Sequence, residues 1–376
     1  MVRHKHFRRF HNYLLGCASE LVAPVLRGTA KLVISGAQSP PNSWRRGLIL
    51  SNTRIGDVLF RTCSLEQLKN GLPNCEWHYL TSADSAEMLR NNPFLTSAVP
   101  LCGPTGAPRL LPGAAKKLRA MSFDVALCTN PETYWRDQMV ALAAGIPNRV
   151  GFIHRGLSGL VTHPVPCSYP SPWAGYFQQI VSHLTGAAPG WTLIPRIYPS
   201  EEDDCSARLQ WKRMELPADS PVVICFMTTR EQSHIWPEEF FSQALKQVQA
   251  DGGVCIVLAG SSQDAPVLRQ FAARCGFPAR VMAGDLGLRG LFCFFRMCAV
   301  TLCPDSGPRH IANAAGTPVV FMRNLFCSKV ETGRYCPNEI DLSPDVEFVP
   351  LNQQEACLRR VSPTIVAQTI LQILRR

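Results

Sequence analysis

An α/β protein made of two doubly wound halves is what this sequence predicts, and three features carry the prediction. Short apolar runs alternate with segments whose apolar residues recur at helical spacing, the succession of strand, turn and helix that builds a parallel sheet. The alternation halts at an acidic stretch, "SEEDDCSARLQWKR", and restarts beyond it. The length of 376 residues suits a pair of medium domains, and 46% hydrophobic against 18% charged residues supplies each with a core.

The first 36 residues stand apart as a basic amphipathic segment. Phe10, Leu14, Ala18 and Leu21 recur at helical spacing beside Arg3, Lys5, Arg8 and Arg9. Such a helix either lies on an acidic membrane surface or docks on its own domain with a solvated basic end. Glu20 and Pro24 break its apolar patch, so a secretory signal is not expected. No run approaches the roughly 20 apolar residues of a spanning helix.

A polar linker, "GAQSPPNSWRR", opens the first half, residues 45–200. "GLILSN" reads as a strand and "TRIGDVLFRTCSLEQLKN" as the helix after it; "CEWHYLTS" and "FDVALCTN" read as buried strands, with "SAEMLRNN", "GAAKKLRAM" and "DQMVALAAGI" as helices. The acidic stretch reads as a bridge. In the second half, residues 218–345, "PVVICFMTT", "VCIVLAG", "ARVMAG" and "AVTLCPD" are the strands, and "PEEFFSQALKQVQADG", "DAPVLRQFAARCG" and "LRGLFCFFRMC" the helices. Residues 346–376 form a tail and a closing helix, with Ser362 as N-cap and Pro363 as first helical residue.

Composition narrows the function classes. A formal charge of +10 suits an anionic partner. Nucleic acid is not expected, because beyond the N-terminus the Lys and Arg are scattered, without aromatic interleaving. None of the 16 cysteines pairs as Cys-x-x-Cys, and many sit in apolar runs such as "VVICFM", as reduced core thiols of a cytoplasmic protein do. No Gly-x-Gly-x-x-Gly follows a strand and there is no P-loop, so neither a dinucleotide oxidoreductase nor an NTPase is indicated. With no Asp-x-Asp between the halves, neither a metal nor a cofactor is expected, and a bound diphosphate has to be neutralised by helix ends and basic side chains.

Three sites carry chemistry. In "CPDSGPRHIANAAGTPVVFM", Cys303 to Met322, a strand breaks on Asp305-Ser306-Gly307 and a helix begins with His310 in its first turn. Free amides and the positive dipole end make such a start an anion socket. Taken alone the segment is better read as an ordinary N-cap, with Asp305 or Ser306 capping and His310 a satisfied surface side chain. In "SNTRIGDVLF", Asp57 lies where the first strand yields to its helix, as a base or as a cap. In "CFMTTREQSHIWPEEFF", Thr228, Thr229, Arg230 and His234 suit a phosphate, while Pro237 and the acids after it suit a plain helix start.

Together these motifs resemble glycosyltransferase family 9, the ADP-heptose:lipopolysaccharide heptosyltransferases. Ile55-Gly56-Asp57-Val58-Leu59 looks like the family's "iGDvl" loop, and "FDVALCTNPETYWRDQMVALAAGIPNRVGF" resembles its "fDl" strand, basic helix and "riGf" turn. "TTREQSHIWPEEFF" and "DSGPRHIANAAGTPVV" are similar to its nucleotide-side elements, and the likeness spans roughly residues 46 to 345. The resemblance implies a GT-B fold, two Rossmann-like domains facing across a cleft, and an inverting, metal-independent transfer. It implies Asp57 as general base, Arg61 and Arg136 at the acceptor, and Thr228, Thr229, Arg230, His234, Leu286, Asp305, Ser306, Gly307 and His310 around the nucleotide sugar. The implied partners are an ADP-heptose donor, a lipid-linked saccharide acceptor and the cytoplasmic face of the inner membrane. Two departures stand out: His234 occupies the place of a common family lysine, and "FMRNLFCSKVETGRYCP" replaces the usual continuation after "TPVV". A nucleotide-sugar epimerase or hydrolase, or a degenerate membrane-bound nucleotide-sugar binder, is the alternative on the same fold.

Overall fold

The computed structural model describes residues 38–103, 110–131, 134–153, 160–229 and 235–376; the basic segment over residues 1–36 lies outside them. The chain divides into two compact units after Leu193.

In the first unit, β1 (Arg46–Leu50) leads into α1 (Ile55–Thr62) and α2 (Leu65–Gly71). Then come β2 (Glu76–Ser82), β3 (Ser97–Cys102), α3 (Ala114–Ala120), β4 (Val125–Cys128), α4 (Tyr134–Ala143), β5 (Asn148–Phe152), β6 (His163–Val165) and α5 (Trp173–Thr185). The strands form one parallel sheet in the order β3-β2-β1-β4-β5-β6. Being covered on both faces, its central strands read as unbroken apolar runs. Ile49 faces Val58, Leu65, Leu68, Phe177 and Ile180 on one side, while Leu48 and Leu50 face Leu118, Val140 and Ala141 on the other. Gly47 is required where it stands: it pairs with Trp77, and a Cβ there would meet that indole at 2.2 Å.

The second unit opens with α6 (Glu201–Arg213), the acidic stretch of the sequence, whose Ser200 and Asp203 close a capping box. It continues through β7 (Val222–Phe226), α7 (Glu238–Gly252), β8 (Cys255–Gly260), α8 (Ala265–Arg274), β9 (Ala279–Ala283), α9 (Leu288–Phe295), β10 (Val300–Pro304), α10 (Gly307–Ala315), β11 (Val319–Met322) and β12 (Glu339–Asp341). It ends in α11 (Leu351–Leu358) and α12 (Pro363–Leu374). Its parallel sheet has the order β12-β11-β10-β7-β8-β9. Numbered within each unit, both sheets run 3-2-1-4-5-6, the doubly wound order.

The closing helix is part of the second core. Val366, Ala367 and Ile370 join Phe241, Leu245, Leu268 and Phe271 in one cluster. Ser362 caps α12 by accepting from the Thr364 amide at 3.2 Å, with Pro363 next. Trp236 is 1% exposed and donates its indole N–H to the Val361 carbonyl at 3.2 Å, pinning the start of α7 to the approach of α12. Pro237 takes the cap position of α7, and Glu238 and Glu239 pair with Arg274 and Arg359 at 2.5 and 2.7 Å.

Every cysteine among the described residues is free, and most are buried. Burial lifts the thiol pKa of Cys75 and Cys293 to about 12, and these two pack as small inert hydrophobes. No helix among the described residues is long and apolar enough to cross a membrane.

Candidate functional site

In an open doubly wound sheet, ligands bind beyond the carboxyl ends of the strands where the order reverses, because the two loops there turn to opposite faces and leave a crevice. The reversal falls between β1 and β4 in the first unit and between β7 and β10 in the second. The loops leaving these four strands carry Asp57, Thr129–Asn130, Thr228–Thr229 and Asp305–His310. Topology therefore gathers the motif residues of each unit at one edge of its sheet.

In the first unit, the chain leaving β1 is held by Ser85, whose hydroxyl donates to the Thr53 carbonyl at 2.6 Å. Helix α1 starts after Arg54 without a side-chain cap, and the half-buried Asp57 lies in its first turn, with the Asn52 amide nitrogen 3.5 Å from Oδ1. Asp57 thus stands in the first turn of α1 with one carboxylate oxygen facing the Asn52 amide.

Arg61 sits one turn on, and the sequence assigned it to the acceptor. It is instead 0% exposed. Nε donates to Thr129 Oγ1 at 2.9 Å, and Nη2 donates to the Thr129 carbonyl at 3.2 Å and to Asn130 Oδ1 at 3.0 Å. Thr129 Oγ1 donates onward to the Leu50 carbonyl at 2.8 Å. The guanidinium therefore clasps α1 to the ends of β1 and β4, because a buried arginine must spend its donors on protein acceptors. Asn130 also donates to Asp137 Oδ2 at 3.1 Å. Asp137 is wholly buried, and the loss of water raises its pKa to about 7 against the opposing pull of Asn130, Arg61 and Arg136. Arg136 stands half-buried beside it on α4.

In the second unit, Thr228 and Thr229 are half-buried just past β7, while Arg230 and His234 lie outside the described residues. At the end of β10, Ser306 takes the N-cap position of α10 in an extended conformation but does not cap it; its hydroxyl turns back to the Pro304 carbonyl at 3.3 Å. Pro308 has no N–H, and the Arg309 amide donates to the Ser306 carbonyl at 3.1 Å. Gly307 remains as the first-turn residue whose amide meets no capping side chain. The socket is narrower than a generic helix start, yet among the described residues the N-cap side chain does not close it.

Asp305 would repel an anion at this edge if left unpaired. Its Oδ1 accepts from Arg309 Nη1 at 2.8 Å, one helical turn away. Arg309, 1% exposed, also donates to Glu339 Oε1 at 2.6 Å and to the Thr332 and Gly333 carbonyls at 2.8 and 2.6 Å, and its guanidinium lies 3.6 Å over the Phe321 ring. His310 is 5% exposed, with Nδ1 2.9 Å from the Tyr335 hydroxyl. Burial and the neighbouring Arg309 charge hold its pKa well below the ordinary imidazole value, so the ring is neutral. Leu286 is half-buried before α9, against Gly290; the adjoining Arg289 is buried and paired with Asp203 at 2.5 Å.

Sequence reasoning missed Arg309, Asn313, Tyr335 and Glu339. The one signal available was the four-residue spacing of Asp305 and Arg309, which places them on one helical face. Among the described residues no group of three or more His, Cys, Asp or Glu is arranged to hold a metal. An open groove of about 480 Å³ lies at the opposite edge of the second sheet, lined by Glu215, Phe277 and Arg280. It is remote from the loops where such sheets take ligands.

Residues 114–326, more than half of the chain, match the family described as glycosyltransferase family 9 (heptosyltransferase). The lipopolysaccharide core heptosyltransferase OpsX of Haemophilus influenzae is 22% identical over 278 residues, 72% of this chain and 77% of OpsX. A glycosyl transferase of family 9 from Veillonella parvula superposes with a TM-score of 0.76 at 17% identity, covering 91% of this chain and 99% of its own. The Escherichia coli heptosyltransferase WaaC, solved with ADP, gives 0.65 at 15% identity, covering 87% and 99%. At these identities the structural likeness is one of fold, and that fold is the α/β, GT-B class expected from the sequence.

Proposed function

Because the chain belongs to glycosyltransferase family 9, the heptosyltransferases, and is thus a glycosyltransferase, we propose that it moves a heptose from an ADP-activated donor to a lipopolysaccharide core acceptor. Transfer is inverting and needs no metal. The Asp57 carboxylate takes the proton of the acceptor hydroxyl as that oxygen attacks the anomeric carbon. The bond from that carbon to the diphosphate breaks, and negative charge grows on the departing oxygen. Gly307 N–H, the Ser306 hydroxyl, His310 and the dipole of α10 stabilise that charge as it develops, helped by Thr228, Thr229, Arg230 and His234. Asp305, held by Arg309 and within 3.5 Å of the Asn324 amide, contacts the sugar or orders the loop, and the backbone at Leu286 flanks the adenine. Arg136 serves the acceptor. The acceptor is lipid-linked, and the work is done at the cytoplasmic face of the inner membrane.

The observation that carries this proposal is the uncapped start of α10, where an aspartate is neutralised by a buried arginine and a histidine is kept uncharged and oriented. Turnover of ADP-heptose with a heptose-deficient core acceptor tests it. Asp57→Ala is expected to lower transfer by roughly 10²–10⁴-fold while ADP still binds. Undiminished turnover would remove Asp57 from the mechanism, and donor consumption without any acceptor would point to a hydrolase or epimerase.

A further inference from the structure

One buried guanidinium lies between two carboxylates beside the α10 socket, and only one of the two depends on it. Glu339 is 1% exposed; its Oε1 accepts from Arg309 Nε and Asn313 Nδ2, both at 2.6 Å, and its Oε2 from the Tyr335 and Cys336 amides at 2.9 and 3.1 Å. Three N–H groups besides the arginine therefore hold that charge. Asp305 is placed differently. Its Oδ1 accepts from Arg309 Nη1 at 2.8 Å, while its Oδ2 has only a long contact, 3.5 Å, to the Asn324 amide. His310 Nε2 lies 4.0 Å from Oδ1, but burial and the Arg309 charge keep that ring neutral. Among the described residues Arg309 is thus the full cation that answers Asp305. It is also immobile: 1% exposed, it lies 3.6 Å over the Phe321 ring and donates to the Thr332 and Gly333 carbonyls. A ligand at the start of α10 does not reach it. Asp305 keeps 14% of its side chain exposed, two residues before Gly307.

We propose that Arg309 is a positioning residue that sets the affinity of the α10 start for the donor's diphosphate, by holding the Asp305 carboxylate and cancelling its charge. The proposal rests on the diphosphate reading of that site and adds a determinant of donor affinity that the donor does not touch. Its consequence is that the two residues oppose each other. An unpaired Asp305 charge beside a bound phosphate is repulsive, so loss of Arg309 weakens the donor and further loss of the Asp305 charge restores it. An arginine that contacted phosphate directly, or that only stabilised the fold, would show no such reversal.

The test titrates the full chain with ADP and with adenosine, which shares the nucleoside and lacks the charge. Arg309→Met is expected to weaken ADP about tenfold and to leave adenosine unchanged. Adding Asp305→Asn to Arg309→Met is expected to bring ADP back to within about twofold of the wild type, the non-additivity of a coupled pair. A loss shared equally by adenosine, or a double variant no better than Arg309→Met, would overturn the proposal. Should Arg309→Met not fold, Asp305→Asn alone decides. It removes a negative charge while Arg309 stays, so ADP is expected to bind more tightly, and unchanged or weaker binding would overturn the proposal. If the wild type binds no ADP, the diphosphate reading falls and this proposal with it; ADP binding without the reversal removes the role of Arg309 alone.

Discussion

At the scale of single residues, the site depends on buried charges that neutralise one another. Arg309 stands between the carboxylates of Asp305 and Glu339, sealed from water. Such a group of charges adds little net stability, but removing its central member leaves two carboxylates without their cation. Arg309→Met is expected to lower unfolding stability by about 3–5 kcal/mol, read from the midpoint of urea denaturation. Asp137 gives the opposite sign. Its folded-state pKa is about 7 against an ordinary value of 3.8, because burial penalises the carboxylate. Below pH 4 both states are protonated and the group costs nothing. As pH climbs toward 7, the unfolded chain releases the proton first and stability is lost. Asp137→Asn is therefore expected to be more stable than the wild type by a few kcal/mol at pH 8, with the gain vanishing near pH 4. Denaturation curves across that range would check it, and a gain largest at acid pH would contradict the assignment.

Among elements, α1 is the one whose position governs the proposed chemistry. Eight residues long, it carries Asp57 near its start and Arg61 one turn later. The Arg61 fork, joined to Thr129 and Asn130, fixes where the first turn sits relative to β1 and β4. Lysine supplies a single point donor in place of a planar fork. Arg61→Lys is expected to lower kcat about ten- to a hundredfold, as misplacement of a base by a fraction of an ångström does, with ADP affinity unchanged. Steady-state kinetics beside an ADP titration separates this from general loss of fold, which would depress both. Helix α10 is the counterpart in the second unit. Its Ser306 occupies the capping position while leaving the cap unmade, as the proposed diphosphate contact requires.

For the whole molecule, both units repeat one strand order, and that repetition explains why each motif follows the first or fourth strand of its sheet. Charge is the other global property. A net +10, with basic residues concentrated near the N-terminus, favours an anionic surface. The protein is expected to sediment with vesicles containing anionic lipid, not with neutral ones, and to be released by added salt, since screening at physiological ionic strength acts within about 8 Å. Deleting residues 1–36 is expected to abolish that sedimentation and leave ADP binding intact. Sedimentation that persists without those residues would assign the surface contact elsewhere.

The sequence by itself determined what is local. Alternating periodicities announced two parallel sheets; Gly, Pro and Ser placements marked the strand-to-helix turns, and Asp57, Thr228, Thr229 and the Asp305–His310 segment sat where such turns meet ligands. Those features are legible because a strand, a turn and a helix start are each decided within a few residues. Only the tertiary structure decided which polar side chains are withdrawn from solvent and what they hold. It made Arg61 a buried clasp, paired Asp305 with Arg309, and brought Glu339 to Arg309 and Asn313, and Tyr335 to His310, from beyond β11. The physical reason is that a buried charge or hydroxyl takes its character from partners distant in the chain, and sheet packing alone brings them within 3 Å.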